Sequence, residues 1–215
     1  MSEGGGHGHG HGHSHNCDKE HSQGKGPDRG LEYSLYLKID TQRVKCLNEA
    51  KEGSGKDVFK PWDERMDKEK FVESDVDEEL LLYIPFTGSV KLKGIILIGG
   101  EEDTHPSKMR LFKNRPCMTF DDTGSEADQE FELHPDPSGM LEYATKAARF
   151  NHVENLSIHF PSNFGADNTK IYYIGLKGDF TQAHRHEVTI CAYEARANPA
   201  DHKTNLLDSV GHQIQ

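Results

Sequence analysis

From residue 31 onward the chain is a series of short apolar or alternating runs, each bounded by glycine, proline, aspartate or asparagine. In LEYSLYLKI, strict alternation puts Leu31, Tyr33, Leu35, Leu37 and Ile39 on one face and predicts a strand. KFVES, LLLYIPF, SVKLKGIILIG, MRLFKN, QEFEL, LSIHF, KIYYIGLKG and EVTICAYEA repeat the style. Many short strands joined by Gly- and Pro-bearing turns predict an all-β sandwich or barrel. Gly88, Gly94, Gly99 and Gly178 fall where bulges and turns belong. GSGKD (Gly53 to Asp57) reads as a loop, and Met140 to His152 is the main helix candidate, with imperfect apolar spacing.

The ends have another texture. Residues 1–30 are Gly, His, Ser and charge, and cannot bury enough surface to offset their ordering entropy, so a disordered tail is expected. Residues 204–215 read as a second, flexible tail, which leaves residues 31–203 as one β domain. Hydrophobic residues are 33% of the chain, and much of that deficit sits in the two ends. No apolar run approaches the roughly 20 residues of a spanning helix, and no basic start with an apolar block marks a signal peptide. A formal charge of -11 argues against nucleic acid and anionic lipid as partners. The four widely spaced cysteines, none in C-x-x-C, fit reduced thiols. A cytoplasmic and nuclear monomer is the expectation.

The familiar catalytic signatures are missing. Gly53-Ser54-Gly55-Lys56 lacks the first glycine and the hydroxyl residue of a phosphate loop, and no G-x-S-x-G, H-E-x-x-H or EF-hand loop occurs. Neither an enzyme nor a cofactor is expected. The metal candidates are His7, His9, His11, His13, His15 and Cys17, whose side chains bind zinc or nickel readily but on a chain that does not preorganise them. His184 and His186 would share one face of a strand. The acidic groups Asp75/Asp77/Glu78/Glu79, Glu101/Glu102/Asp103 and Asp121/Asp122 are oxygen-rich but read as solvated loops. Phe59 and Trp62, the latter the sole tryptophan, sit among charges in FKPWDER and are candidate partner anchors, weighed against packing over one end of the sandwich. Leu206, Leu207 and His212 put apolar and imidazole groups on the C-terminal arm, a further candidate contact.

CLNEA, FKPWDER, FVESDVDEELLLYIPFTGSVKLKGIIL, NFGADNTKIYYIGLKG and HEVTICAYEARANPADHK together resemble the PITH domain, the proteasome-interacting module at the C-terminus of thioredoxin-like proteins. The match runs from about Leu31 to Lys203. The resemblance implies a jelly-roll β-sandwich of galactose-binding-like architecture, with few short helices. It also implies association with the 26S proteasome regulatory particle in cytoplasm and nucleus. The thioredoxin domain and its C-x-x-C are missing here, so redox activity is not implied, and the family supplies no catalytic residues to carry over. The proteasome lid holds a zinc deubiquitinase, toward which an arm bearing His212 is expected to reach. The alternatives are a sandwich that binds a glycan or other small molecule through end loops, and a regulatory factor acting indirectly on gene expression or differentiation through protein turnover.

Overall fold

The structure is a computed structural model that describes Gly5 and residues 29–182. The His tract from His7 to Cys17, the His184/His186 pair, the EVTICAYEA run and the arm bearing Leu206, Leu207 and His212 lie outside the described residues. Within them the chain is a mostly antiparallel β protein, a jelly-roll sandwich with a few short helical turns. Its strands are β1 (Lys45–Leu47), β2 (Val72–Glu73), β3 (Leu80–Gly99), β4 (Lys108–Lys113), β5 (Gln129–Glu132), β6 (Glu142–Ala144), β7 (Val153–Phe160) and β8 (Lys170–Gln182). No helix among the described residues is long and apolar enough to cross a membrane.

The two runs LLLYIPF and SVKLKGIILIG form one strand, β3, and that strand makes the sandwich. Its first half runs between β1 and β7, and β4 and β5 extend that layer. Its second half runs between β6 and β8, and β2 extends the other. The change of partners comes where the register to β7 jumps between Pro85 and Val90. Pro85 has no N–H to give the ladder, so pairing breaks there at little cost.

Bulges then set which side chains face the core. Leu80, Leu82, Ile84, Phe86, Val90 and Leu92 point inward with even numbers, whereas beyond them Ile95 and Leu97 do. The parity flips because Lys93 is an extra residue between the pairs Leu92↔Gly178 and Gly94↔Lys177. Tyr172 is the matching extra residue on β8, between the partners of Ile98 and Gly99. The expected bulge glycines Gly94 and Gly99 stand beside these two irregularities. A consequence is that Ile96 and Ile98 turn to the outer face, where they form a second apolar cluster with Tyr33 and Tyr173.

Two predicted elements are replaced. LEYSLYLKI is not a strand: α1 (Arg29–Glu32) and a 3-10 turn (Ser34–Lys38) occupy it. Alternation assumed one shared face, but Tyr33 packs into the outer cluster, Leu35 enters the main core, and Leu31 and Leu37 stay 74% and 64% exposed. Met140 to His152 is not a helix. β6 pairs with Gly94–Ile96, and Thr145 donates its backbone N–H to Lys93 O and its hydroxyl to Leu92 O, at 3.0 and 2.7 Å, capping the bulge. Phe150 then turns into the core. The apolar positions of this segment serve those separate contacts, so they never needed a helical period.

Candidate functional site

The FKPWDER segment enters the surface through a buried lysine. Val58 and Phe59 are in the core, and Ile174 donates its N–H to Val58 O at 3.0 Å. Lys60, only 4% exposed, turns its ammonium onto the carbonyls of Asp67 and Lys70 at 2.5 and 3.2 Å. Burial lowers its pKa, against the pull of Asp67. That clamp closes the 61–70 loop, and Pro61, at φ -56°, starts a 3-10 turn (Trp62–Glu64). Phe59 therefore points in and Trp62 out.

Trp62 lies half-buried over the outer cluster. Its ring stacks on Tyr33 with centroids 5.6 Å apart and meets Tyr173 edge-on at 6.3 Å. The Tyr33 hydroxyl donates to Glu142 at 2.6 Å; burial first, then the carboxylate, push its pKa far up, so it stays a donor. The guanidiniums of Arg65 and Arg29 sit 4.1 and 5.7 Å from the indole centroid. Large apolar side chains stand exposed on the segments joined here: Leu31 on α1, Met66 after the 3-10 turn, and Met140 and Leu141 on the neighbouring loop.

That loop is built on one carboxylate. Asp136 accepts the N–H groups of Ser138 (3.0 Å), Gly139 (3.1 Å), Met140 and Leu141 (both 2.5 Å), and the Ser138 hydroxyl (2.6 Å). Burial pushes its pKa up, but these hydrogen bonds outweigh it and hold the carboxyl below its ordinary value. Arg29 and Arg65 tie the loop to Trp62 by donating to the carbonyls of Met140 and Ser138. Beside it a cleft of about 250 Å³ runs between Ile98, Pro135, Pro137 and Tyr172, with Lys68 and Glu101 ion-paired at its rim.

Among the described residues, the other buried titratable groups do not assemble into a catalytic relay. His105 Nδ1 must donate to Pro106 O at 2.7 Å, which leaves Nε2 unpartnered; burial lowers its pKa. His159 Nε2 meets Glu79 at 2.6 Å, and burial again lowers the pKa despite that carboxylate. Ser157 lies two residues before His159 on β7, but neither its hydroxyl nor His159 Nδ1 has a hydrogen-bond partner, so the two do not engage. Burial, and then Glu49, push the Cys46 thiol well up, which disfavours its thiolate, while Cys117 is exposed. Among the described residues no group of three His, Cys, Asp or Glu could hold a metal ion.

Of the sequence-derived candidates, then, Trp62 is at the centre of a mixed aromatic, basic and apolar face. Phe59, 7% exposed, lies beneath the surface and presents nothing to a partner in this conformation. Arg29, Arg65, Met140 and the Asp136 loop were not anticipated. Only Arg65 left a local signal, three residues after Trp62 where a 3-10 turn brings it back over the ring.

The PITH domain model matches residues 25–197. PITH domain-containing protein 1 of Xenopus laevis is 64% identical over 191 residues, covering 89% of this chain and 91% of its own. The Homo sapiens protein of that name is 62% identical over 186 residues, covering 86% and 88%. PITH domain-containing protein CG6153 of Drosophila melanogaster is 56% identical across all of both chains. Among solved structures, CBM32-3 from a family 31 glycoside hydrolase of Clostridium perfringens matches 70% of this chain and 98% of its own, at a TM-score of 0.43 and 10% identity. The family 32 CBM of C. perfringens NanJ in complex with galactose covers 65% and 97%, at a TM-score of 0.46 and 10% identity.

Proposed function

The chain belongs to the PITH domain family, and from that premise we propose that it is a non-enzymatic protein-binding module. Its partner is the 26S proteasome regulatory particle, where it acts as an adaptor in protein turnover, as a monomer of cytoplasm and nucleus. The observation that carries the reading is the Trp62 face, with a half-buried tryptophan, two guanidiniums against its ring and exposed Leu31, Met66, Met140 and Leu141 on the joined segments. Tryptophan and arginine are the side chains most enriched where protein interfaces concentrate their binding energy. They are held here by the outer cluster and the Asp136 loop, so little ordering entropy remains to be lost on docking. Sequence and fold also support an adaptor: no catalytic motif occurs in the chain, and no relay of titratable groups occurs among the described residues.

The C-terminal arm with Leu206, Leu207 and His212 is a second, separable contact in this proposal. Capture on full-length tagged protein from cytosolic and nuclear extract at low salt, read by mass spectrometry, is the test. Regulatory-particle subunits are expected in the eluate, and fewer after removal of residues 204–215. Their absence with the full-length protein would sink the assignment. Unchanged recovery after truncation would discard the arm and leave the sandwich face as the dock.

A further inference from the structure

Two guanidiniums, those of Arg29 and Arg65, stand against one indole ring. The formal charge is -11, with 36 acidic against 25 basic residues, so carboxylates are plentiful in the chain. Three lysines near them do pair, Lys68 with Glu101, Lys70 with Glu64, and Lys177 with Glu32 and Glu142, whereas Lys60 is held by carbonyls. Among the described residues no ion pair reaches Arg29 or Arg65. Arg29 donates to Met140 O at 3.4 Å; Arg65 donates to Ser138 O at 3.4 Å and Trp62 O at 3.1 Å. A guanidinium has five N–H donors, so most of the fork on each arginine remains for a ligand. Asp63, on the same turn as Trp62, joins neither. Both guanidiniums lie within 5.7 Å of one indole centroid, and Leu31, Met66, Met140 and Leu141 stand exposed on the segments that carry or meet them.

We propose that this face docks an acidic segment of a partner protein, in which aspartate or glutamate carboxylates engage Arg29 and Arg65 while interleaved apolar side chains pack on Trp62, Met66 and Met140. The proposal rests on the reading of the Trp62 face as a docking site, and it adds the chemistry of the occupant. Carboxylate fits the planar fork in bidentate geometry and supplies the charge the chain itself withholds. Phosphate has the same local fit, but a nucleic acid would bring a long anionic backbone against Glu32, Asp63, Glu64 and Glu142. An extended peptide brings a few charges and the apolar side chains that the flanking methionines and leucines require.

Trp62 is the only tryptophan, so its fluorescence reports this face directly. The full-length protein is titrated with a synthetic peptide of alternating glutamate and leucine, with its glutamine–leucine counterpart, and with a single-stranded oligonucleotide. A saturable change in emission with the glutamate peptide is expected. It should be at least about tenfold weaker with the glutamine peptide and should weaken severalfold in about 0.5 M sodium chloride. Arg29→Gln/Arg65→Gln should cost about tenfold or more in affinity, and Arg29→Lys/Arg65→Lys less, because the charge remains while the fork is lost. Arg43→Gln, a cation elsewhere on the surface, should change nothing, and thermal melts identify any variant that has merely unfolded. The proposal is overturned by no response of the wild type, by equal affinity for the neutral peptide, by tighter binding of the oligonucleotide, or by an unaffected glutamine double variant. Failure of the wild type to capture the regulatory particle, with the peptide response intact, would instead remove the proteasome assignment alone.

Discussion

Asp136→Asn takes away the anionic acceptor on which the 135–141 loop is built. Oδ1 accepts from the Ser138 N–H, the Ser138 hydroxyl and the Gly139 N–H, and Oδ2 from the Met140 and Leu141 N–H groups. An amide offers one oxygen, so in either orientation its NH₂ confronts at least two backbone donors. Two hydrogen bonds to a charged acceptor are worth about 3–6 kcal/mol when dry. This side chain is half-buried and water reaches part of the loop, so about 2 kcal/mol is the expected loss. For a domain of this size that lowers Tm by about 4–8 °C. The pH dependence sharpens the test. The folded carboxyl titrates below its ordinary value, so its contribution is fully present above the unfolded value of about 3.9 and is lost as pH falls through the folded one. Thermal melts of wild type and variant should differ most near neutrality and converge in acid. A difference under about 0.5 kcal/mol near neutrality, within the range of an unremarkable surface change, or one that persists undiminished into acid, would refute this account of the loop.

Gly178→Ala would put a methyl carbon 2.2 Å from the carbonyl oxygen of Lys91, a backbone atom at the β3 bulge, and should cost about 1–3 kcal/mol; Gly124→Ala, with open space around it, should be neutral in the same melts. His105 and His159 are held neutral by burial, so the unfolded chain takes up protons first, from about pH 6.5 downward. Stability should therefore fall on acidification from pH 7 to the folded pKa values, and His105→Gln/His159→Gln should flatten that slope in urea titrations at a series of pH values. Phe59→Ala should cost about 3–5 kcal/mol as a core deletion. Trp62→Ala should cost clearly less in denaturant titrations, because its ring covers the outer cluster without entering the main core.

The strand runs were legible because strands announce themselves by short apolar stretches between turn residues, and β2, β3, β4, β5, β7 and β8 all fall on predicted runs. The parity flip at Lys93 was not legible. One extra polar residue in a strand looks like any other, yet it is what sends Ile96 and Ile98 to the outer face and creates the surface under Trp62. LEYSLYLKI misled for a related reason: its alternation is real, but Tyr33 and Leu35 serve two different clusters, which only the tertiary structure separates. The site was half visible. Trp62 stood out by rarity and by its charged neighbours. Arg29 and Met140 reach it from 33 residues before and 78 after, distances in sequence over which no local pattern operates. Phe59 shared Trp62's neighbourhood in sequence but not in space, since the Lys60 clamp turns the chain between them.

Docking of the regulatory particle on the face around Trp62, as proposed above, can be measured with purified components. Purified regulatory particle, immobilised and titrated with full-length wild type, Trp62→Ala/Met140→Ala and the neutral control Gly124→Ala, tests it most directly. Saturable binding of wild type and control alike is expected, with the double variant weakened by about tenfold or more while still folded by thermal melt. Binding of the folded double variant at wild-type affinity would contradict it.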